Sequence, residues 1–222
     1  MRLDEITRAV EAAGLAFRGA FHPEAEDLPE GVAAKTIVML GVVGADQWAG
    51  FVASPEFRDG RAHPLDRWSL RVIGALAREL GAEPRFPFES QPFMPFIHWA
   101  KKAEAVHESA MGMLIHPDFG LWHAWRGALL FEEAIVLPPK DKRASPCATC
   151  VDKPCLSACP VEAFKTGAFD VVACAGHLRA PQGGDCMGGG CLARRACPVG
   201  AKYRYLSDQA AFHMRAFRGD RA

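Results

Sequence analysis

All eight cysteines of this 222-residue chain lie within residues 147–197, and none precedes Cys147. Thiolates bind soft metals and metal clusters, form disulfides or act as nucleophiles, so chemistry is first expected here. Eight cysteines in a chain of this length fall well below the roughly 8 to 10 % typical of a disulfide scaffold. No basic, apolar export signal opens the sequence, which also disfavours disulfides. The clustering therefore points to bound metal.

The cysteines fall into two sets with the same ending. Both sets end in Cys-Pro-Val. The first set is similar to the bacterial ferredoxin run, in which three thiolates bind one 4Fe-4S cluster and the fourth, before proline, binds the other. The gap between Cys150 and Cys155 is two residues longer than the usual ferredoxin spacing. Two sets of four predict two 4Fe-4S clusters. The sets are Cys147, Cys150, Cys155 and Cys159, then Cys174, Cys186, Cys191 and Cys197.

The ferredoxin exchange rule assigns the ligands across the sets. Cys197 would join the first three cysteines of the first set, and Cys159 would join Cys174, Cys186 and Cys191. Structural zinc is the alternative, because closely paired cysteines also make tetrahedral four-thiolate sites. The repeated Cys-Pro ending has no rationale in a zinc site, so the spacing favours clusters.

The order of these cysteines, with the lone Cys174 inside "ACAGHL", resembles the cluster domain of epoxyqueuosine reductases and their reductive dehalogenase relatives. The stretch "MLIHPDFGLWHAWRGALLF", residues 113–131, is similar to the segment before the clusters in those reductases and to a signature of CblC-type cobalamin-processing proteins. The resemblance covers roughly residues 63–205. It implies a flavin-reductase-like scaffold that holds cobalamin, with two clusters that reduce the corrinoid. Flavin is permitted by the same scaffold as a less favoured cofactor.

The resemblance also implies site residues. Glu89, three residues before a proline in "FESQP", stands where the reductases have a catalytic aspartate. A carboxyl group beside an apolar corrin face would have a raised pKa and could donate a proton. Other readings stay open: Glu89 as a solvated or helix first-turn acid, His116 as a turn residue, and Trp122 as a core aromatic. The residues matching the corrin-side motif are His116, Phe119, Gly120, Trp122 and Arg126.

Patterning predicts the elements that must position these residues. The expected fold class is α+β, with a CblC-like α/β body over 1–139, a ferredoxin-like two-cluster domain over 140–206, and a C-terminal helix with a basic tail over 207–222. Apolar periodicity predicts helices over 3–13, 64–80, 92–104 and 208–217, the last with Ser207 as N-cap, and strands over 35–43, 113–115, 127–131 and 134–137.

Composition excludes several classes. Lys and Arg number 26 and so do Asp and Glu, so we expect no nucleic-acid partner. The longest apolar stretch, 37–45, is too short to span a membrane, and we expect a cytoplasmic protein. The first functional hypothesis is an oxidoreductase that takes electrons from a ferredoxin or flavodoxin and reduces a corrinoid. The second is an electron carrier or corrinoid-handling protein without its own substrate. Helical repeats that help the reductases grip transfer RNA do not follow, so epoxyqueuosine is not the expected substrate.

Overall fold

The computed structural model describes residues 1–164 and 168–219. The chain divides into two compact units, one formed by 1–105 and 124–142 and the other by 106–123 and 143–222. Segment 106–123 therefore leaves the first unit and belongs with the cysteine-rich part of the chain. The boundaries expected at 139 and 206 stay a prediction.

The first unit contains a four-stranded sheet. Its strand order is β1-β2-β6-β3, with β1 antiparallel to β2 and β3 antiparallel to β6. The apolar run at 35–43 was expected to be a buried strand, and β2 confirms it, with residues 37–40 fully buried. β6 begins four residues before the predicted start at Gly127. The strands are β1 (Ala16–Phe21), β2 (Thr36–Val43), β3 (Glu83–Arg85) and β6 (His123–Phe131).

Five helices accompany this sheet. α4 matches its prediction because Pro64 is tolerated in the first turn and Gly81, at φ 64°, adopts the left-handed conformation that ends the helix. α5 begins later than the predicted residue 92, since prolines 92 and 95 disfavour helical backbone in the residues before them. The helices are α1 (Leu3–Ala12), α2 (Trp48–Val52), α3 (Pro55–Arg58), α4 (Pro64–Leu80) and α5 (Phe96–Ala103).

One predicted strand is absent from the structure, and one observed strand was not predicted. The prediction of a strand over 134–137 is wrong, because the backbone there forms hydrogen bonds with the side chain of Thr36. Its Oγ1 donates to Glu133 O at 2.8 Å and accepts from Ile135 N at 2.9 Å. β1 was not predicted. It contains Gly19 at φ 81°, which interrupts the apolar sequence pattern of a strand. An added Cβ there would lie 2.4 Å from Ala103 O, so the glycine permits the close approach of α5.

A buried ion pair ties this unit together. Arg18 on β1, 1 % exposed, donates to both carboxylate oxygens of Glu104 at 2.8 and 3.2 Å. Trp125 Nε1 donates to the same carboxylate at 3.0 Å, and its ring centroid lies 5.3 Å from the guanidinium. Burial raises the pKa of Glu104, and the Arg18 charge opposes that rise. The pair links β1, the end of α5 and β6.

The second unit is built from short elements, as the missing periodicity of residues 140–200 predicts. Its small sheet pairs β4 (His107–Glu108) with β5 (Leu114–Ile115). α10 begins at Ser207, one residue earlier than expected, with Leu206 in the N-cap position, and Gly219 at φ 85° ends it. The rest of the predicted basic tail, including Arg221, lies outside the described residues. The helices are α6 (Pro154–Ser157), α7 (Val171–Arg179), α8 (Gly184–Gly189), α9 (Leu192–Ala196) and α10 (Ser207–Arg218).

Segment 106–123 packs directly on the cysteine elements. Met111, Ile115 and Leu121 form one buried cluster with Cys155 and Cys197, completed by the methyl group of residue 193. This contact explains why residues 106–123 belong to the same compact unit as the cysteines, although the sequence predicted a cysteine domain that begins at residue 140. Among the described helices, none combines the length and the apolar character that a membrane crossing requires.

Candidate functional site

The structure brings four cysteines together in a first group. Burial raises the pKa of Cys155, and the negative charges of Cys197, Cys147 and Cys150 raise it further. Burial also raises the pKa of Cys197, where a hydrogen bond from the Val199 backbone opposes the charges of the same partners. These cysteine side chains therefore interact electrostatically. Cys197 lies with cysteines that precede it by more than forty residues.

The other four cysteines form a second group. Burial raises the pKa of Cys174 to about 11, with further contributions from Cys191, Cys159 and Cys186 in that order. Burial raises the pKa of Cys191 as well, again with Cys186 and Cys159 as charged neighbours. Cys159 thus lies with the later cysteines, as Cys197 lies with the earlier ones. All eight cysteines are described and carry thiols outside any disulfide.

Short helices present these thiols to backbone donors. Cys191 is the N-cap residue of α9, and Cys197 follows the end of that helix. The backbone N–H groups of residues 193 and 194 bond Cys191, and Ala163 N donates to Cys159 Sγ at 3.4 Å. Such donors favour the thiolate form, which is the form that binds iron. The local fold thus supplies the groups that hydrogen-bond a cluster ligand.

A site for one zinc ion needs a different arrangement of thiolates from a site for a 4Fe-4S cluster. Within the described residues, no group of three or more His, Cys, Asp or Glu side chains is arranged to hold one metal ion. Four thiolates around one zinc each lie about 2.3 Å from the metal. In a cube each thiolate binds its own iron, so the four sulfurs stand further apart. Ligation of iron by these groups stays a prediction.

His116, Phe119 and Gly120 lie in one tight turn of the second unit. His116 and Gly120 exchange two backbone hydrogen bonds of 2.9 Å each. His116 Nδ1 accepts from the backbone N–H groups of Asp118 and Phe119 at 3.0 and 3.3 Å, which assigns the ring proton to Nε2. Its ring stacks on Phe119 with centroids 4.3 Å apart. The structure thus gives His116 a turn-closing role, and its predicted cofactor contact is untested.

Two glycines let this turn approach the second Cys-Pro loop. An added Cβ at Gly120, φ 57°, would lie 2.0 Å from Val199 O. An added Cβ at Gly200, φ 70°, would lie 2.3 Å from the carbonyl group of Phe119. The family resemblance placed Gly120 beside the corrin ring, and Gly200 was not among the predicted site residues. The signal for Gly200 was its place after Cys-Pro-Val, where a tight turn favours glycine.

Trp122 is buried, and its ring meets that of Tyr205 edge to face. The Arg194 guanidinium lies 4.5 Å from the ring centroids of both Trp122 and Tyr205, and its Nε donates to Leu121 O at 3.0 Å. Trp122 is 2 % exposed, and its Nε1 has no hydrogen-bond partner among the described residues. Arg194 was not among the predicted site residues; its position between two predicted cluster ligands, Cys191 and Cys197, was the available signal.

Glu89 and Arg126 belong to the first unit. Glu89 closes a turn, with Phe86 N donating to its Oε2 at 3.1 Å, and it precedes α5 by several residues. The helix first-turn reading of Glu89 is therefore wrong. Arg126 donates to Asp66 Oδ1 at 2.6 Å and to Ser69 Oγ at 3.0 Å, which supplies the anionic partner that a largely buried guanidinium requires.

An open cleft of about 490 Å³ surrounds Glu89. Apolar side chains are part of its lining, with Leu70 45 % exposed, and Phe93, between two lining residues in sequence, is 72 % exposed. The guanidinium of Arg126 lies 5.8 Å from the Phe88 ring, so it adjoins the same loop. A larger cavity of about 730 Å³, between the N-terminal residues and 133–138, is lined by none of the predicted site residues. The lining residues of the cleft are Leu70, Arg85, Phe88, Glu89, Ser90, Gln91, Pro92 and Met94.

No protein-family profile matches the chain, and no curated protein matches it in sequence. An epoxyqueuosine reductase solved with an epoxyqueuosine-modified tRNA stem loop is 12 % identical, with a TM-score of 0.53 over 91 % of this chain and 66 % of that chain. The Streptococcus thermophilus epoxyqueuosine reductase is 14 % identical, with a TM-score of 0.51 over 90 % of this chain and 66 % of its own. The chain thus spans about two thirds of the reductases' length.

The Caenorhabditis elegans B12-trafficking protein CblC is also similar. It is 14 % identical, with a TM-score of 0.52 over 96 % of this chain and 92 % of that chain. One neighbour holds tRNA, so the expected absence of a nucleic-acid partner has no support. These identities show fold only. These structural neighbours come from the two families that the sequence resembles. The chain has the mixed α+β fold of epoxyqueuosine reductase and CblC.

Proposed function

We propose that this chain is an iron–sulfur redox protein that binds two 4Fe-4S clusters and reduces a corrinoid. One observation carries the proposal: eight thiols in two groups of four, with Cys197 and Cys159 exchanged between the sequence sets. The exchange is the arrangement of a two-cluster ferredoxin. On this proposal residues 140–206 form a ferredoxin-like domain.

The donor sets fit clusters chemically. Soft thiolates suit iron–sulfur clusters, and backbone N–H groups already bond Cys159, Cys191 and Cys197. Iron binding would deprotonate thiols whose pKa burial and like charge raise, so proton release would accompany loading. When bound, the clusters supply one-electron transfer. The chain itself holds the thiolates, donates hydrogen bonds to sulfur and buries Cys155 and Cys197 away from water.

Two separate features support a corrinoid ligand. In the second unit, Trp122 Nε1 is a buried donor without a partner in the described chain, and a side-chain amide of a corrinoid could accept from it. In the first unit, the apolar side chains around Glu89 suit a large apolar ring. Arg126 is committed to Asp66 and Gly120 to close backbone packing, so we assign them positioning roles.

Glu89 is the proposed proton donor. Its carboxylate is fixed by the Phe86 N–H and opens into the cleft. A ferredoxin or flavodoxin is the proposed electron donor, and flavin is the alternative cofactor.

Metal analysis tests the clusters. Protein purified without oxygen should be brown and contain about eight irons and eight sulfides per chain, the content of two 4Fe-4S clusters. Cys147→Ala and Cys159→Ala should each disturb a different cluster, seen as different losses in the electron paramagnetic resonance spectrum. Zinc without iron, or loss of the same signal in both variants, would contradict the proposal.

A spectroscopic titration tests the corrinoid. Hydroxocobalamin added to the reduced protein should show bands of lower cobalt oxidation states. Trp122→Phe should weaken binding while the iron content is kept. An unchanged cobalamin spectrum with brown protein would favour an electron carrier.

A corrinoid-handling role is the second candidate function. The fold similarity to CblC, a B12-trafficking protein, with a TM-score of 0.52, supports a role that ends at the corrinoid. Reduction of bound cobalamin with no turnover of any added organic acceptor would distinguish this candidate from a reductase.

A further inference from the structure

His177 lies on the buried face of α7 together with a predicted cluster ligand. It follows Cys174 by three residues, a spacing that places two side chains on one side of a helix. Leu178, on the same side, is 2 % exposed, whereas Val172 is 83 % exposed. The histidine of "ACAGHL" therefore points the same way as the Cys174 thiol.

The ring of His177 has an unused polar atom. Its Nε2 is buried, and no hydrogen-bond partner for it exists in the part of the chain that the structure describes. Buried ring nitrogens in folded proteins are usually hydrogen-bonded. A partner is therefore expected from a group that binds at this place.

The fold brings the second cysteine group to this position. An added Cβ at Gly183 would lie 2.2 Å from His177 O, so the chain turns back tightly against the last turn of α7. Three residues later comes Cys186 on α8, which packs against α7. Cys186 and Cys174 are neighbours within the second group. The helix that carries His177 and the helix packed against it thus carry two of the four thiols.

We infer that His177 Nε2–H donates a hydrogen bond to a sulfur of the second cluster and thereby raises its reduction potential. This inference rests on the proposed function, since the acceptor is the cluster held by Cys159, Cys174, Cys186 and Cys191. A donor to cluster sulfur stabilises the reduced state, which carries more negative charge. His177 is a positioning and tuning residue, and the four thiolates remain the ligands.

The test is a reductive titration of the full chain, followed by electron paramagnetic resonance. His177→Phe removes the donor and keeps a ring, so the second cluster's midpoint potential should become more negative while the first cluster's stays unchanged. His177→Gln keeps an N–H at a comparable position and should restore the wild-type potential. Equal potentials in wild type and His177→Phe, with both clusters present, would overturn the inference.

A second measurement does not depend on the variants folding. Pulsed resonance on wild-type protein labelled with ¹⁵N-histidine should show weak nitrogen coupling to the second cluster, as a hydrogen-bonded ring gives. Strong coupling, as from a nitrogen bound to iron, or no coupling, would overturn the inference. Wild-type protein without iron would overturn the proposed function and the inference together, so the two failures are distinguishable.

Discussion

Replacing Gly120 by alanine tests how closely the turn at His116 is held to the second Cys-Pro loop. At φ 57° an alanine pays the left-handed backbone cost of roughly 1–2 kcal/mol. Its Cβ would also lie 2.0 Å from Val199 O, a backbone atom that cannot rotate away. Relieving that overlap must shift the loop that follows Cys197, which adds about 1–3 kcal/mol, the usual range for overpacking.

Gly112 provides the matched control in the same segment. It has φ 79°, and nothing lies within 4 Å of an added Cβ. Gly112→Ala should therefore cost only the backbone term, roughly 1–2 kcal/mol. The difference between the two variants isolates the close approach, and we expect Gly120→Ala to be the less stable by about 1–3 kcal/mol.

Urea denaturation followed by tryptophan fluorescence measures this difference, and iron analysis measures its consequence. Because the displaced loop carries Cys197, Gly120→Ala should lose the first cluster preferentially, whereas Gly112→Ala should retain both. Equal unfolding free energies for the two variants would refute the inferred approach. Equal loss of both clusters in Gly120→Ala would refute the assignment of Cys197 to a separate group.

Three further predictions concern the first unit. Arg18→Met leaves the Glu104 carboxylate buried without its ion-pair partner and should cost about 3–5 kcal/mol by urea denaturation, against less than ~1 kcal/mol if the pair is dispensable. Arg71 holds the pKa of Glu56 at about 2, below its ordinary 4.5, so this pair's stabilisation is complete above pH 4.5 and is lost as pH falls toward 2. Glu56→Gln should remove that pH dependence of the unfolding free energy, which we expect to amount to about 1 kcal/mol because Arg71 is half-exposed. If the unfolding free energies of both proteins fell equally with acid, the prediction would be wrong. Glu89→Gln should slow corrinoid-dependent turnover with binding kept, and unchanged turnover would exclude it as the acid.

Local signals predicted the elements that local physics determines. α4 could be placed because proline at its start and Gly81 at its end act through their own backbone angles. β2 could be placed because a strand covered on both faces is continuously apolar. The predicted strand over 134–137 failed because its backbone bonds a side chain about a hundred residues away, and no local pattern records that contact.

The site divides in the same way. Cysteine spacing is a local signal, and it indicated both the kind of ligand and the two sets of four. Gly200 and Arg194 could not be found in this manner, because their importance lies in what they touch. Gly200 meets the carbonyl of Phe119, and Arg194 bonds Leu121 O, both in a segment more than seventy residues earlier.

These contacts give segment 106–123 a physical link to the cysteine groups. The segment buries Leu121 beside Cys155 and Cys197, and its last turn is bonded by Arg194, which stands between Cys191 and Cys197 in the chain. A shift of α9 on cluster loading would therefore move the Leu121 carbonyl directly, without an intervening flexible loop. Because Trp122 stacks on the same guanidinium, the buried indole N–H would move with it. We therefore expect the affinity for cobalamin to change when the clusters are removed by a chelator, and an unchanged affinity would contradict this coupling.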